Sequence, residues 1–224
     1  MYKNMRNGKL TALLVVILAG CRHASPAVDT TRARPIAPLF DPSEAHAKLE
    51  GSERDKWQKP QQLVQALELK EGDVAADIGA GSGYLLPYLS RAVGKSGKVY
   101  AEEIQMEYLP DLRRHADQLK NVEPNLGTAK DPRLPAKVDM FVLLTVYHEV
   151  QQPVDFLKTL RKYAKPRSRL AIIDFDAQRK GEYPAPVGHE VSERDVIAEA
   201  QAAGWKLQKR FEFLGSQFYL VFTR

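Results

Sequence analysis

The chain has 224 residues, a single cysteine and a formal net charge of +5 at pH 7. One cysteine excludes an internal disulfide and a cysteine metal cluster, so the fold must be held together by its hydrophobic core. Lys3, Arg6 and Lys9 lie in a segment that we expect to be removed, which lowers the charge to +2. Such a weakly basic balance gives no support for a nucleic-acid partner. The length suits about one domain of ordinary size.

The N-terminus has the pattern of a secretory signal. Three basic residues precede an apolar run over residues 10–19, which is too short to span a bilayer but suits the apolar part of a signal peptide. The run ends in Leu-Ala-Gly-Cys, which resembles a bacterial lipobox and implies cleavage before Cys21 and acylation of that cysteine. We therefore expect residues 1–20 to be a lipoprotein signal peptide. An ordinary signal peptide, or an anchor that happens to end in cysteine, is the alternative.

Residues 21–38 are rich in Ala, Pro, Thr and Arg and show no apolar periodicity. This composition predicts a flexible tether that spans roughly 20 to 25 Å. The tether would hold a domain over residues 39–224 on the periplasmic face of a membrane in the bacterial cell envelope. The first part of that domain, residues 39–72, is charged with scattered aromatic residues and contains a helix that begins at Pro60.

A strand, a tight turn and a helix are predicted around residues 74–84. A short apolar run ends at Asp77, three alternating glycines follow over residues 79–83, and leucines with helical spacing come next. Glycine permits positive φ and close approach of a ligand, and the following helix presents free N–H groups at its start. A dinucleotide-binding G-x-G-x-x-G fingerprint does not fit, because the third glycine position is occupied by Tyr84.

The remaining pattern, D-x-G-x-G-x-G, resembles the first motif of the class I S-adenosylmethionine-dependent methyltransferases. The resemblance extends over about residues 60–224, and it implies a loop under the amino-acid end of the cofactor S-adenosylmethionine. The residues that it assigns to this contact are Asp77, Gly79, Ala80, Gly81, Ser82, Gly83 and Tyr84. It also implies that the N-terminal segment lies over the ligand opening, so that Arg54 and Trp57 become possible lid residues. For this pair we prefer a simpler interpretation, in which the aromatic ring of Trp57 packs against the domain and Arg54 belongs to a solvated run of charged residues.

A second strand is predicted over residues 98–103, and it ends in two acids. Glu103 lies 24 residues after Gly79, which matches the family position where an acid takes both ribose hydroxyls. A carboxylate suits this contact because its two oxygens accept two hydrogen bonds. We assign Glu103, with Glu102 as the alternative if the strand end shifts by one residue. The other interpretation is that both acids are exposed to solvent at the edge of the sheet and bind no ligand.

An amphipathic helix with its apolar stripe between Met106 and Leu119 is predicted next, and Pro110 indicates that it begins near Tyr108 or is kinked early. A turn-rich link follows, where the family places a contact to the adenine amino group. Asp131 is the candidate for this contact, although Asp-Pro is also a common turn pair.

A near-continuous apolar run over residues 138–144 predicts a central strand that is covered on both faces. Such strands meet the ligand crevice at their carboxyl ends, and this strand leads into Tyr147, His148 and Glu149. His148 could accept a proton near neutral pH, and Tyr147 or Glu149 could orient an acceptor. The family also places this strand end beside the acceptor. A structural role for His148 stays open, because methyl transfer to a good nucleophile needs no base.

The last third of the chain continues the alternation of helices and strands. The predicted features are a helix from Pro153, a turn at residues 165–168, a strand over residues 169–175, a loop over residues 181–191 that contains His189, a capping box of Ser192 and Asp195, and a final strand pair near residues 205–214 and 218–223. The strand pair resembles the hairpin that closes the methyltransferase sheet.

These observations predict one doubly wound, Rossmann-like α/β domain with a seven-stranded sheet and a C-terminal antiparallel hairpin. The expected function is methyl transfer from S-adenosylmethionine to an unidentified small-molecule acceptor, by positioning and desolvation. No metal is expected, because the sequence shows no metal-ligand cluster, and the oligomeric state stays open.

One conflict remains, because S-adenosylmethionine is not normally expected outside the cytoplasm, where a lipobox sends the domain. The alternative is a non-catalytic, membrane-tethered lipoprotein that keeps the fold and binds a nucleoside-like or other small ligand.

Overall fold

The computed structural model describes residues 28–35, 52–176, 178–179, 181, 183, 185 and 187–224. The predicted signal peptide, Cys21 and about half of the predicted tether lie outside these residues. Among the residues that are described, no helix is long and apolar enough to cross a membrane.

Helices and strands alternate along the described chain. The helices are α1 (Ser52–Gln58), α2 (Pro60–Ala66), α3 (Leu86–Val93), α4 (Leu109–Leu119), α5 (Pro153–Lys162) and α6 (Glu193–Ala202). The strands are β1 (Val74–Ile78), β2 (Lys98–Glu103), β3 (Val122–Leu126), β4 (Val138–Leu144), β5 (Ala164–Phe175), β6 (Lys206–Phe211) and β7 (Gln217–Thr223). Short 3-10 turns lie at Met106–Tyr108 and Tyr147–Glu149.

The strands form one seven-stranded sheet in the order β3-β2-β1-β4-β5-β7-β6. Strands β1 to β5 pair in parallel, and β7 runs antiparallel between β5 and β6. The order reverses between β1 and β4, which is the switch point where open α/β sheets bind ligands. The predicted doubly wound sheet with its C-terminal antiparallel hairpin is therefore confirmed.

Strand β4 shows why its sequence is apolar throughout. Phe141 and Leu143 pack in the core on one face of the sheet, which also holds side chains of α5 and α6. Met140 and Val142 pack on the opposite face with side chains of α2, α3 and α4. All four side chains are fully buried, because successive residues of a strand point to opposite faces and both faces are covered.

Two details of the sheet differ from the prediction. The predicted count of seven strands requires a strand between β2 and β4, but the sequence analysis did not locate it. The structure places β3 there, and Pro124 in its middle is tolerated because β3 is an edge strand of the sheet. Strand β5 begins at Ala164, so the turn predicted at residues 165–168 is wrong. Those residues continue the strand through an irregularity in the β4–β5 register, between Val138 and Met140.

Two helix details also differ. Met106 is 65% exposed and does not belong to the core stripe, whereas α4 begins at Leu109 with Pro110 in its first turn, close to the predicted start. Ser192 is the N-cap of α6, but its side chain makes no capping hydrogen bond. The carboxylate of Asp176 instead accepts from the backbone N–H of Glu193 over 3.1 Å, so the predicted capping box is replaced by a distant acid.

Candidate active site

A cavity of about 410 Å³ opens where the carboxyl ends of β1, β2 and β4 meet. Its wall contains most of the residues that the sequence assigned to the cofactor: Asp77, Gly79, Ala80, Gly81, Ser82, Tyr84 and Glu103. Gly83 and Asp131 are not in the wall. The strand order therefore brings the first and second motifs together around one space, as the sequence predicts.

The glycine loop after β1 leaves room on its cavity side. Gly81 has a φ of +55°, and a Cβ atom added there would meet nothing within 4 Å. Gly79 has a φ of +69°, and a Cβ atom there would lie 2.5 Å from Cγ2 of Val146. Gly79 thus permits packing against the chain beyond β4, whereas Gly81 keeps its backbone open to a ligand. Gly83 allows close contact with His115 of α4, which explains why it lies outside the wall.

Glu103 is fixed by backbone donors at the end of β2. Its Oε2 accepts a hydrogen bond from the N–H of Gly81 over 2.8 Å. Its Oε1 accepts from the N–H groups of Ile104 (2.7 Å) and Gln105 (2.9 Å). Glu102 also lines the cavity, and its Oε2 accepts from the N–H of Gly79 over 3.2 Å. The assignment of the ribose contact to Glu103 rather than Glu102 stays a prediction.

Asp77 is a buried acid beside a buried base. The carboxyl group is 3% exposed, and burial raises its pKa to about 7, although the nearby Arg54 guanidinium acts in the opposite direction. Burial also lowers the pKa of Arg54 to about 10. A carboxyl group in this state favours a ligand that brings positive charge to it, because such a ligand would stabilise the ionised form.

Arg54 comes from α1 and forms part of the cavity wall, where its guanidinium lies 3.9 Å from the ring centroid of Tyr84. Trp57 stacks instead on Tyr183, with 4.3 Å between ring centroids, beside a smaller cavity. The packing interpretation preferred from the sequence suits Trp57, whereas Arg54 lies where the lid alternative placed it.

Asp131 is engaged away from the cavity. Its Oδ1 accepts hydrogen bonds from the hydroxyl of Tyr163 over 2.7 Å and from the backbone N–H of Arg133 over 2.8 Å. The preceding residues 128–130 line the cavity instead. The segment between β3 and β4 thus reaches the cavity as predicted, but the side chain of Asp131 is hydrogen-bonded to Tyr163 instead. Its contact with adenine stays a prediction without geometric support.

Tyr147 does not suit its predicted role of orienting an acceptor. Its side chain is fully buried, and its hydroxyl donates to Oε2 of Glu199 over 2.9 Å. Arg34 lies over the ring at 4.6 Å and donates to the Tyr147 carbonyl. Burial raises the pKa of this hydroxyl well above its usual range. Tyr147 therefore connects Arg34 of the predicted tether with Glu199 of α6 in the core, outside the cavity wall.

His148 lies behind the cavity wall in a buried hydrogen-bonded group. Its Nδ1 is 2.9 Å from Oδ1 of Asp174, its backbone N–H donates to Oδ2 of the same carboxylate, and its Nε2 is 3.0 Å from Nδ1 of His189. Burial opposes protonation, but the attraction of Asp174 outweighs it and raises the pKa of His148. His148 does not itself line the cavity.

Of Tyr147, His148 and Glu149, which the sequence predicts at the acceptor, Glu149 is the one that lines the cavity. Its Oε1 lies 3.7 Å from Nε2 of His148, and burial raises its pKa to about 7. The wall around it combines apolar residues, which are Leu144, Val146, Val150 and Phe156, with the polar residues Thr145, Gln151 and Gln152. A carboxyl group in this wall at the end of β4 is placed to contact the acceptor side of the cavity.

Comparison with known proteins identifies the family. Residues 69–214 match the family model described as a methyltransferase domain. The chain belongs to this methyltransferase family. A solved structure of a SAM-dependent methyltransferase from Aquifex aeolicus is 32% identical, with a TM-score of 0.75, and the match covers 83% of this chain and 99% of that one. The protein is therefore a class I methyltransferase enzyme, and S-adenosylmethionine is its cofactor.

Other relatives of this methyltransferase match over shorter segments. The 2-phytyl-1,4-naphtoquinone methyltransferase of Thermosynechococcus vestitus is 30% identical over 143 residues, which cover 62% of this chain and 61% of that protein. Protein-L-isoaspartate O-methyltransferase 2 of Archaeoglobus fulgidus is 31% identical over 117 residues, 49% of each chain. The methyltransferase thus spans about three fifths and one half of these two curated relatives.

The residues of the cavity fit S-adenosylmethionine. The open space beside Gly81 admits a ligand against the loop backbone, and the acidic groups of Asp77 and Glu103 suit the positive charge and the hydroxyl groups of the cofactor. Aeropyrum pernix fibrillarin, solved with S-adenosyl-L-methionine bound, shares the fold of this methyltransferase at 18% identity and a TM-score of 0.55.

Proposed function

We propose that this methyltransferase acts on an apolar, ring-containing small molecule at a membrane surface. The observation that carries the proposal is the division of the cavity between its two sides. The sheet order places β2 and β4 on opposite sides of β1, so the acids at the end of β2 lie away from the wall beyond β4. That wall contributes apolar side chains to the cavity, and apart from Glu149 its polar members, Thr145, Gln151 and Gln152, are uncharged. A cationic, hydroxyl-bearing cofactor suits the first side, and an apolar acceptor suits the second.

Each part of the chain has a role in this proposal. Asp77 and the loop over residues 79–83 hold the methionine part of the cofactor, and Glu103 holds its ribose. When bound, the cofactor supplies an electrophilic methyl group, which passes from the sulfonium to the acceptor and leaves S-adenosylhomocysteine. Glu149 orients the acceptor, while Val146 and Phe156 exclude water from the reacting atoms. Rate enhancement comes from positioning and desolvation.

The class of acceptor is suggested by two independent features. The relative from Thermosynechococcus vestitus acts, by its name, on a phytylated naphthoquinone, and the wall beyond β4 has the apolar lining that a ring of this kind requires. The lipobox at Cys21 would hold the domain near the bilayer, where lipophilic small molecules concentrate. An O- or C-methylated ring compound fits both features.

The first test is calorimetric titration of the full-length protein in detergent with S-adenosylmethionine and with S-adenosylhomocysteine. We expect micromolar binding, roughly −8 kcal/mol. Asp77→Ala and Glu103→Ala should abolish binding, and Glu107→Ala, an exposed acid just beyond β2, is the matched control. A folded protein that binds neither compound would favour the alternative, a non-catalytic lipoprotein that binds another small ligand.

The second test addresses the acceptor. The protein is incubated with isotopically methyl-labelled S-adenosylmethionine and, in separate reactions, with reduced prenylated naphthoquinone, a water-soluble naphthol and an isoaspartyl peptide. The proposal expects label in the prenylated ring compound alone or most strongly. Preferential labelling of the isoaspartyl peptide would contradict the proposal and would indicate an acceptor like the one named for the Archaeoglobus relative.

A further inference from the structure

Three potential metal ligands converge behind the apolar wall of the cavity. His148 and Glu149 belong to the 3-10 turn after β4, and His189 lies in the loop before α6. Nε2 of His148 is 3.0 Å from Nδ1 of His189 and 3.7 Å from Oε1 of Glu149, and the three ligand atoms all lie within 4.8 Å of one another. Both histidines are buried, and Glu149 is half-buried.

The separations suit a small metal ion. Tetrahedral zinc binds nitrogen and oxygen ligands at 2.0–2.2 Å, which places neighbouring ligand atoms about 3.3 to 3.6 Å apart. The distances from Nε2 of His148 to its two neighbours, 3.0 and 3.7 Å, lie on either side of that value. The remaining pair, Nδ1 of His189 and a carboxylate oxygen of Glu149, lies within 4.8 Å, so an ion would draw these two side chains together.

Asp174 prepares His148 for such a role. Both oxygens of its buried carboxylate lie within 3.1 Å of Nδ1 of His148, so the imidazole proton belongs on Nδ1. In the neutral imidazole Nε2 then carries the lone pair, and this atom is 3.0 Å from Nδ1 of His189 and 3.7 Å from Oε1 of Glu149. A metal-binding histidine characteristically donates its other ring N–H to a carboxylate in this way, which fixes the tautomer and strengthens the ligand.

We propose that Nε2 of His148, Nδ1 of His189 and a carboxylate oxygen of Glu149 bind one divalent transition-metal ion. Two imidazoles and one carboxylate favour zinc and its neighbours over magnesium and calcium, which prefer all-oxygen sites. Asp174 is the positioning residue of this site.

The site has a consequence for the acceptor, and this part rests on the proposed function. Three protein ligands leave a coordination position for water or for a substrate oxygen. Glu149 is the one ligand of the three that also lines the cavity, so the open position would meet the acceptor beside Glu149. There it would lower the pKa of a coordinated acceptor hydroxyl, whose proton leaves to solvent before its oxygen takes the methyl group.

The test uses the full-length, untagged protein after treatment with a chelator, and it measures metal binding alone. Titration with Zn²⁺, and with Co²⁺ as a spectroscopic probe, should show one ion per chain, and the Co²⁺ complex should have the intense visible bands of a four- or five-coordinate site. Mg²⁺ should not compete. His189→Gln and Glu149→Gln should weaken binding roughly tenfold or more, and Asp174→Asn about 10- to 100-fold.

Glu190→Gln is the matched control, since Glu190 is an exposed carboxylate next to His189 and is outside the ligand set. Circular dichroism and titration with S-adenosylmethionine show whether each variant is folded. A folded wild type that binds no Zn²⁺ or Co²⁺ overturns the proposal, as does binding that survives both His189→Gln and Glu149→Gln. In that case the group is a metal-free hydrogen-bonded network. Because cofactor binding is measured separately, failure of the metal site leaves the methyltransferase proposal untouched.

Discussion

The backbone N–H of Gly81 donates a hydrogen bond to Oε2 of Glu103 over 2.8 Å. This bond joins the glycine loop after β1 to the acid at the end of β2, so two motifs separated in the sequence form one rigid wall of the cavity. In the proposed function, the joined pair also sets the distance between the loop assigned to the methionine end of the cofactor and the acid assigned to its ribose.

Substitutions of two glycines in this loop should have different effects, one on cofactor affinity and the other on stability. Gly81→Ala meets no neighbouring atom and adds only the strain of a positive φ, about 1–2 kcal/mol. We therefore expect a folded protein whose affinity for S-adenosylmethionine falls about tenfold or more, because the new methyl group occupies ligand space. Gly79→Ala instead collides with Val146 and should lower the melting temperature before any ligand is added. Thermal unfolding and calorimetric titration of both variants distinguish the two losses, and a tight-binding Gly81→Ala variant would contradict the proposed approach of the cofactor.

Comparison of the two acids at the end of β2 tests the ribose assignment. Glu103 accepts three backbone N–H groups through both oxygens, so its carboxylate is held in one orientation. We expect Glu103→Ala to weaken binding of S-adenosylmethionine and of methylthioadenosine alike, because both carry the ribose. Glu102→Ala should have the smaller effect on both ligands. The reverse order would move the ribose contact to Glu102.

The cofactor side of the site was predictable because its determinants are local. Asp77 and Glu103 lie in the last residues of their strands and the glycine loop follows directly, and a parallel sheet brings successive strand ends to one edge. The strand-turn-helix pattern therefore predicted both the position of the glycine loop and that of Glu103 beside it. Arg54 was harder to place, because its position depends on how α1 packs over Tyr84, and the charge pattern around it does not show this.

The acceptor side was predicted less well, for a geometric reason. In the 3-10 turn after β4, successive side chains diverge: Tyr147 enters the core toward Glu199, His148 meets Asp174, and Glu149 reaches the cavity. Sequence adjacency therefore did not bring all three side chains to the cavity wall. His189 lies 41 residues from its partner His148, and no spacing rule connects a histidine in a loop with one in a turn so far away.

The affinity for S-adenosylmethionine should depend on pH through Asp77. Burial raises the pKa of this carboxyl group to about 7 in the free protein, so about half of the molecules carry it protonated at pH 7. A cofactor with positive charge binds the ionised form better, so affinity should rise roughly tenfold from pH 6 to pH 8 and level off above that. Titrations in two buffers of different ionisation enthalpy should show proton release near pH 6.5. Asp77→Asn should release no proton at this step, and equal wild-type affinities at pH 6 and 8 would exclude the mechanism.

The same shift makes a prediction about stability. A folded-state pKa near 7, above the ordinary value of 3.8, means that the folded protein binds a proton more tightly than the unfolded chain between about pH 4 and 7. The contribution of Asp77 to the free energy of unfolding is therefore fully present below pH 4 and is lost as the pH rises through 7. At pH 8, Asp77→Asn should stabilise the ligand-free protein by an amount on the order of 2–4 kcal/mol.

Denaturant unfolding at pH 8 and pH 5 measures this change in the free energy of unfolding, with Asp73→Asn as the control. An Asp77→Asn variant less stable than wild type at pH 8 would show that the ionised carboxylate is well compensated in the free protein.

Lipid attachment is testable at one residue, because Cys21 is the only cysteine in the chain. We expect the protein expressed in bacteria to incorporate a labelled fatty acid and to sediment with membranes. Cys21→Ser should remove the label completely, since no other thiol can accept a diacylglyceryl group. Thr11→Ser, a conservative change within the apolar run, should leave labelling unchanged and serves as the control.

Mass spectrometry of the N-terminal peptide gives the second readout, because the lipobox resemblance requires cleavage between Gly20 and a modified Cys21. An unlabelled wild type cleaved at another position would instead identify an ordinary signal peptide, and the proposed access to acceptors in the bilayer would then lose its physical basis.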